Sequence, residues 1–193
     1  MGNEPPDRGA LWANGELTVG EPHPSPPSPR GHPGPGVRSQ PLSPVIRPAR
    51  VTDVPRMGTL INGYAAEGLM LPKTEAQLYN NVRDFVVAES DGLIIGCAGL
   101  KVTWHDLSEI ISLAVAPSYQ GHGLGRALCW PLIDEARLLG IPTVFALTYQ
   151  IGFFAKLGFM IVPKHTLSQK VWQDCVSCPK QSCCDETAMI LRV

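Results

Sequence analysis

Residues Gln120-Gly121-His122-Gly123-Leu124-Gly125-Arg126 place three glycines in seven positions, directly after the apolar run Ile110 to Ala116. A run of that kind reads as a buried strand, and the residues that follow, Leu124, Ala127, Leu128, Leu132, Ala136 and Leu139, recur at helical spacing. The glycines therefore stand between a strand and a helix start. There, successive backbone N–H groups point into one concavity and the positive end of the helix dipole adds to them, so the loop suits phosphate oxygens. A Walker A loop is excluded because Gly-Lys-Ser/Thr is missing, and the dinucleotide fingerprint needs its glycines at another spacing. Taken alone, the spacing leaves a plain flexible strand-to-helix connection equally open.

Outward from this loop, the chain from Val45 alternates element types. Val45 to Pro48 reads as a short strand, and Thr52 as the cap of a helix from Asp53 to Ala66 with Pro55 in its first turn. Thr74 and Gln77 form a capping-box pair for a second helix, in which Leu78, Val82 and Phe85 fall at helical spacing. Phe85 to Glu89, the turn Asp91-Gly92 and Leu93 to Val102 read as a hairpin, with Gly96 and Gly99 marking a bulge or a close neighbour. Glu109 to Ala116 is the next strand. The long helix after the loop stops at Gly140 and Pro142, and Pro131 inside it predicts a kink. A strand over Thr143 to Thr148, a short helix ending at Gly158 and a last apolar run over Phe159 to Val162 complete the pattern. The class is α+β (α/β), a mixed central sheet flanked by helices.

Composition bounds the partners. The chain has 193 residues, 44% of them hydrophobic, and a net charge of −1. One core of good size is expected, and no basic stripe is present to neutralise nucleic acid. No apolar run reaches membrane-spanning length, no secretory signal is visible, and Pro6 stands where a myristoylation motif wants Ser or Thr. The expectation is a cytoplasmic protein with small-molecule partners, no nucleic acid and no membrane; a homodimer stays open. Residues 1–44, rich in Pro, Gly and Ser, read as a disordered tail ahead of a domain over 45–193. His23 and His32 in the tail have no ligand partner at useful spacing.

The flanks of the loop carry a family resemblance. Glu109-Ile-Ile-Ser-Leu-Ala-Val-Ala-Pro-Ser-Tyr-Gln-Gly-His-Gly-Leu-Gly-Arg-Ala-Leu128 resembles the strand, pyrophosphate loop and helix of the GNAT acetyltransferases. Their loop pattern is Gln/Arg-x-x-Gly-x-Gly/Ala, matched by Gln120, Gly123 and Gly125. Phe153-Phe-Ala-Lys-Leu-Gly-Phe159 resembles the second family signature. More narrowly, Leu71-Pro-Lys-Thr74, Val144-Phe-Ala-Leu-Thr148, Lys170-Val-Trp-Gln-Asp-Cys-Val-Ser-Cys-Pro-Lys180 and Cys184-Asp-Glu186 resemble the short bacterial amino-acid acetyltransferases that act as N-acetylglutamate synthases.

The resemblance implies an enzyme: an amino-acid N-acetyltransferase of arginine biosynthesis that takes acetyl-CoA as co-substrate and L-glutamate as acceptor. It puts the pyrophosphate on the amides of Gly121, His122, Gly123, Leu124, Gly125 and Arg126, behind Gln120. The pantetheine arm then pairs with Leu113, Ala114 and Val115 as if it were an added strand. The attacking amine must lose a proton, and Glu109 is the candidate base, against the alternative of a solvated strand-end carboxylate. Ser112 is a second catalytic candidate, or else a packed hydroxyl. Phe154 stands where many relatives carry a thiolate-protonating tyrosine; Tyr149 and Tyr119 are alternative donors. For the acceptor's carboxylates, Lys73 and Thr148 are the leading residues, with Lys164, Lys170, Arg47 and Arg50 behind them.

Cys97 and Cys129 lie in apolar runs and read as packed thiols. Cys175, Cys178, Cys183 and Cys184 cluster in a C-terminal extension over 165–193. A structural zinc held by Cys175, Cys178 and Cys184 with a fourth ligand such as His165 is one reading; reduced thiols or a disulfide are the others. No metal site is assigned. Two readings outside this assignment remain: acetylation of another small amine, such as a different amino acid or a polyamine, and a non-catalytic acetyl-CoA sensor.

Overall fold

A computed structural model describes residues 44–167 and 184–193. Its strands form one mixed sheet in the order β1-β2-β3-β4-β5-β7-β6. These are β1 (Val45–Pro48), β2 (Phe85–Ser90), β3 (Leu93–Trp104), β4 (Leu107–Val115), β5 (Thr143–Thr148), β6 (Met160–Ile161) and β7 (Thr187–Arg192). The helices are α1 (Val54–Ala66), α2 (Glu75–Asn80), α3 (Leu124–Leu138) and α4 (Ile151–Lys156). The β4–β5 pair is parallel and the others are antiparallel.

Strand alternation sorts the core into two layers. Phe85, Val87 and Cys97 face Met57 and Ile61 of α1 and Leu78 of α2. Val86, Ala88 and Ala98 face Leu128, Leu132 and Ile133 of α3 and Phe154 of α4. Burying a Val, Leu, Ile, Phe or Met side chain is worth about 1.5–3 kcal/mol each, so these two layers supply most of what holds the sheet in register. Cys97 and Cys129 are buried within them, which pushes each thiol up to about 12 and keeps it protonated.

Several local expectations change. Thr52 does not cap α1: the chain first makes a 3-10 turn over Val51–Asp53, and the Asp53 carboxylate accepts from the Arg50 N–H at 2.7 Å. The box at α2 is as read, with Gln77 N–H donating to Thr74 Oγ1 and Thr74 N–H to Gln77 Oε1. However, α2 ends at Asn80 and a 3-10 turn over Val82–Asp84 leads into β2, so Val82 and Phe85 are packed by strand and turn geometry, not by helical periodicity. The Asp91-Gly92 turn has φ of 50° and 75°, the left-handed pair that a two-residue hairpin requires. The helix α3 spans Leu124–Leu138 with Pro131 inside it, as the sequence places it.

The largest change is β7. The apolar run at 159–162 is not the end of the sheet: β7 enters between β5 and β6 and pairs with both. Part of the C-terminal extension is therefore core, with Ala188 and Met189 each 1% exposed. The Pro-rich segment up to residue 43, and Lys170, Cys175, Cys178 and Cys183, lie outside the described residues.

Candidate active site

The β4 and β5 strands pair only at Ser108 with Val144 and Glu109 with Phe145. Beyond Glu109 they diverge, and β4 leaves the edge that faces β5 unpaired over its last residues. Within that stretch, β4 pairs with β3 at Ile111–Gly99 and then at Ala114–Cys97, so Ser112 and Leu113 together oppose Ala98 alone. This is a β-bulge, and Ser112 adopts the left-handed region at φ 51°. A non-glycine residue held there carries strain of about 1–3 kcal/mol, typical of positions fixed for function. Behind the bulge, the Cys97 thiol donates to the Ser112 carbonyl at 3.8 Å.

The gap opens into a cleft of about 1030 Å³. Ser112, Leu113 and Val115 of β4 form one wall, Leu147 and Thr148 of β5 the other, and the loop Gln120 to Arg126 closes one end. Gly121 and Gly123 have φ of 77° and 82°, and a Cβ at either position meets nothing within 4 Å. What asks for glycine there is backbone conformation and the open space above it. Gly123 is the N-cap of α3, whose first helical bond runs from Ala127 N–H to Gly123 O at 3.1 Å. The amides of Leu124, Gly125 and Arg126 therefore face the loop without intrahelical acceptors, as in the first turn of any helix. Gly125 answers to a different demand: a Cβ there would stand 3.1 Å from the Phe153 ring of α4.

The acetyltransferase (GNAT) family profile matches residues 60–159. This chain belongs to that family. As a GNAT acetyltransferase it is similar to an uncharacterized N-acetyltransferase of Chlorobaculum tepidum, 37% identical over 149 residues, covering 75% of this chain and 94% of that protein. The amino-acid acetyltransferase of Mycobacterium tuberculosis is 38% identical over 140 residues, covering 71% of this chain and 80% of the relative. Among solved structures, N-acetylglutamate synthase from Neisseria gonorrhoeae, complexed with coenzyme A and N-acetyl-glutamate, superposes with a TM-score of 0.70 at 32% identity. That match covers 77% of this chain but 35% of the synthase. A Mycobacterium tuberculosis protein in complex with CoA gives a TM-score of 0.69 at 34% identity, covering 78% of this chain and 99% of that one.

Against this GNAT frame the residues singled out from sequence divide. Ser112, Leu113, Val115, Gln120, Gly121, Gly123, Leu124, Gly125, Arg126 and Thr148 all line the cleft. Ala114 turns its side chain into the α1 layer, 1% exposed, leaving only its backbone to the site. His122 is exposed and is not among the lining residues. Glu109 is half-buried at the closed end of the splay, one step before the lining residue Ile110 and on the opposite face of the strand. Thr148 is 7% exposed and its hydroxyl accepts from the Gln150 N–H at 2.8 Å, which ties it to the start of α4. Lys73 is not a lining residue either; its backbone N–H and carbonyl are both held by the Asn62 side chain of α1, at 3.0 and 2.9 Å.

Two of the weaker carboxylate-binding candidates, Arg47 and Lys164, have other duties. Arg47 donates to both oxygens of Asp53 and to Glu89, and this pairing draws the Asp53 carboxyl below its usual range. Lys164 Nζ donates to the Cys184 carbonyl at 2.7 Å. Tyr149 lines the cleft and its hydroxyl donates to Asp185 at 2.6 Å, while Phe154 is 5% exposed against the core. Among the described residues no group of three metal-ligating side chains occurs, and Cys184 is half-buried near Glu186. No described helix is long and apolar enough to cross a membrane.

Sequence reading missed Tyr64, Glu67, Leu69 and Met70, which line the cleft from the end of α1 and the turn after it. Nothing local marks Tyr64, because its hydrogen-bond partners Val115 and Gln120 lie some fifty residues away in sequence.

Proposed function

We propose that this chain transfers the acetyl group of acetyl-CoA to the α-amine of an amino acid, and that L-glutamate is the acceptor. The observation that carries the reading is the splay of β4 from β5 beside a glycine loop at a helix N-terminus. An extended amide-bearing arm can pair with the freed edge of β4, and its diphosphate meets the loop amides and the helix dipole. The relative from Mycobacterium tuberculosis named amino-acid acetyltransferase, and the Neisseria gonorrhoeae synthase complexed with N-acetyl-glutamate, favour an amino acid and glutamate in particular.

In this reading the unprotonated amine attacks the thioester carbonyl, a backbone N–H at the bulge stabilises the oxyanion, and the tetrahedral intermediate collapses with release of CoA thiolate. Glu109, directly or through one water, first takes a proton from the substrate's ammonium and so frees the amine that attacks. Ser112 orients the amine or the departing sulfur. A free thiol has a pKa of about 8.5, so the thiolate leaves readily and the second proton, the one that the attacked nitrogen of the tetrahedral intermediate sheds, suffices for it, consistent with Phe154 in place of an acid. Lys73 and Thr148 meet the acceptor's carboxylates. A cationic amine is the second acceptor class, favoured by Glu67 and Glu186, which both line the cleft.

A thiol-release assay with acetyl-CoA across the amino acids and a set of polyamines tests this. Release with glutamate above all others is expected. Release with polyamines alone moves the acceptor to the second class, and no release with any amine overturns the reading.

A further inference from the structure

The last residue of β4 and the first residue of the glycine loop are joined by a closed triangle of hydrogen bonds whose third corner is Tyr64 of α1. Tyr64 Oη donates to the Val115 carbonyl at 2.5 Å. Gln120 Nε2 donates to Tyr64 Oη at 2.7 Å and to the same Val115 carbonyl at 3.2 Å. The stoichiometry closes: a phenol has one hydrogen to give, an amide nitrogen two, and a carbonyl two lone pairs to receive them. Because the Val115 oxygen only accepts, the amide nitrogen of Gln120 must be the atom that faces it, which fixes the orientation of the side chain.

Two consequences follow from the geometry. The Gln120 amide nitrogen has both its hydrogens engaged inside the protein, and the Val115 carbonyl is fully subscribed before any ligand arrives. The triangle also spans the loop's entry, five residues from Val115 to Gln120, and ties it to α1. That helix in turn holds the Lys73 backbone through Asn62.

We propose that Tyr64 is a positioning residue for the acyl donor: it latches Gln120 to the end of β4 and so holds the glycine loop in the conformation that receives the diphosphate. This rests on acetyl-CoA being the ligand of the cleft. Gln120 acts through the latch, and its side chain does not bind phosphate itself.

The experiment is calorimetric titration of the full chain with acetyl-CoA, for wild type, Tyr64→Phe, Gln120→Leu and the double variant, with steady-state kinetics in parallel. Tyr64→Phe keeps the ring and removes only the hydroxyl. It should weaken acetyl-CoA binding by about three- to tenfold, the scale of one or two net hydrogen bonds. The KM for acetyl-CoA should rise by the same factor, with kcat and the KM for the acceptor within about twofold of wild type. The double variant should bind about as Gln120→Leu does, since both changes open one network. Binding of Tyr64→Phe equal to wild type, or losses in the two single variants that multiply in the double, overturns the latch and leaves the functional reading standing. A fall in kcat with unchanged acetyl-CoA affinity also overturns it. A wild-type chain that does not bind acetyl-CoA overturns both.

Discussion

Glu109 stands opposite Phe145 at the last step where β4 and β5 are paired. No further β4–β5 pair follows it, so Glu109 marks the point at which the two strands part, one residue before the lining residue Ile110.

That placement sets the first prediction. Glu109→Gln should bind acetyl-CoA about as tightly as wild type while turnover near neutral pH falls by roughly 10²-fold, the usual scale for losing a general base. Single-turnover kinetics beside calorimetry separate the two. Turnover equal to wild type across the pH range would return Glu109 to an ordinary strand carboxylate.

The glycines of the loop should respond in different ways. Gly123→Val forces a β-branched residue to φ 82° and fills the open space over the loop, so acetyl-CoA affinity should fall by about tenfold or more. Gly125→Val instead drives a side chain into the Phe153 ring, and overpacking of that kind costs about 1–3 kcal/mol of folding stability. Denaturant unfolding should register both substitutions, since a non-glycine residue at positive φ also carries about 1–3 kcal/mol of strain, whereas acetyl-CoA affinity should register the first far more than the second. The reverse pattern would mean that the two glycines have been assigned the wrong duties.

An acid-labile element is built into the start of the fold. Asp53, 5% exposed, is held below its usual carboxyl range chiefly by its hydrogen bonds from Arg47, whose own guanidinium is shifted up by the same contact. A carboxyl depressed in the folded state contributes stability that is complete above its unfolded value of about 3.9 and is lost as pH falls through the lower folded value. Stability should therefore drop below about pH 4 from this group. Asp53→Asn should cost about 3 kcal/mol at neutral pH by leaving Arg47 poorly paired, and should flatten the acid branch of the stability curve. Urea midpoints measured from neutral pH downward check both, and parallel curves for the two proteins would refute the assignment.

Lys73 offers a test of the acceptor. If its ammonium meets a substrate carboxylate, Lys73→Ala should raise the KM for glutamate well above that for acetyl-CoA, by a factor equivalent to about 2–5 kcal/mol if the pair is desolvated. Glutamine should suffer as much as glutamate if the α-carboxylate is the partner, and less if it is the side chain. Equal KM values in wild type and variant would make Lys73 a surface cation whose backbone alone matters, through Asn62.

What the sequence determined by itself was local. The Asp91-Gly92 turn, the Thr74–Gln77 capping box, the amphipathic run of α3 and the glycine loop are all set by residues within a few positions of one another, where backbone sterics and short-range hydrogen bonds decide the outcome. The tertiary structure alone decided the rest. It inserted β7 between β5 and β6, although a stretch of more than twenty residues separates β7 from the preceding strand. It turned Ser112 into a left-handed bulge because β3 and β4 differ by one residue across Ala98. It buried Asp53 against Arg47, and it brought Tyr64 to Gln120 across fifty-six positions. The physical reason is common to all four: strand pairing, bulges and buried polar networks are satisfied by partners in space, and a hydrophobic pattern reports which face of an element is buried without saying what it will meet there.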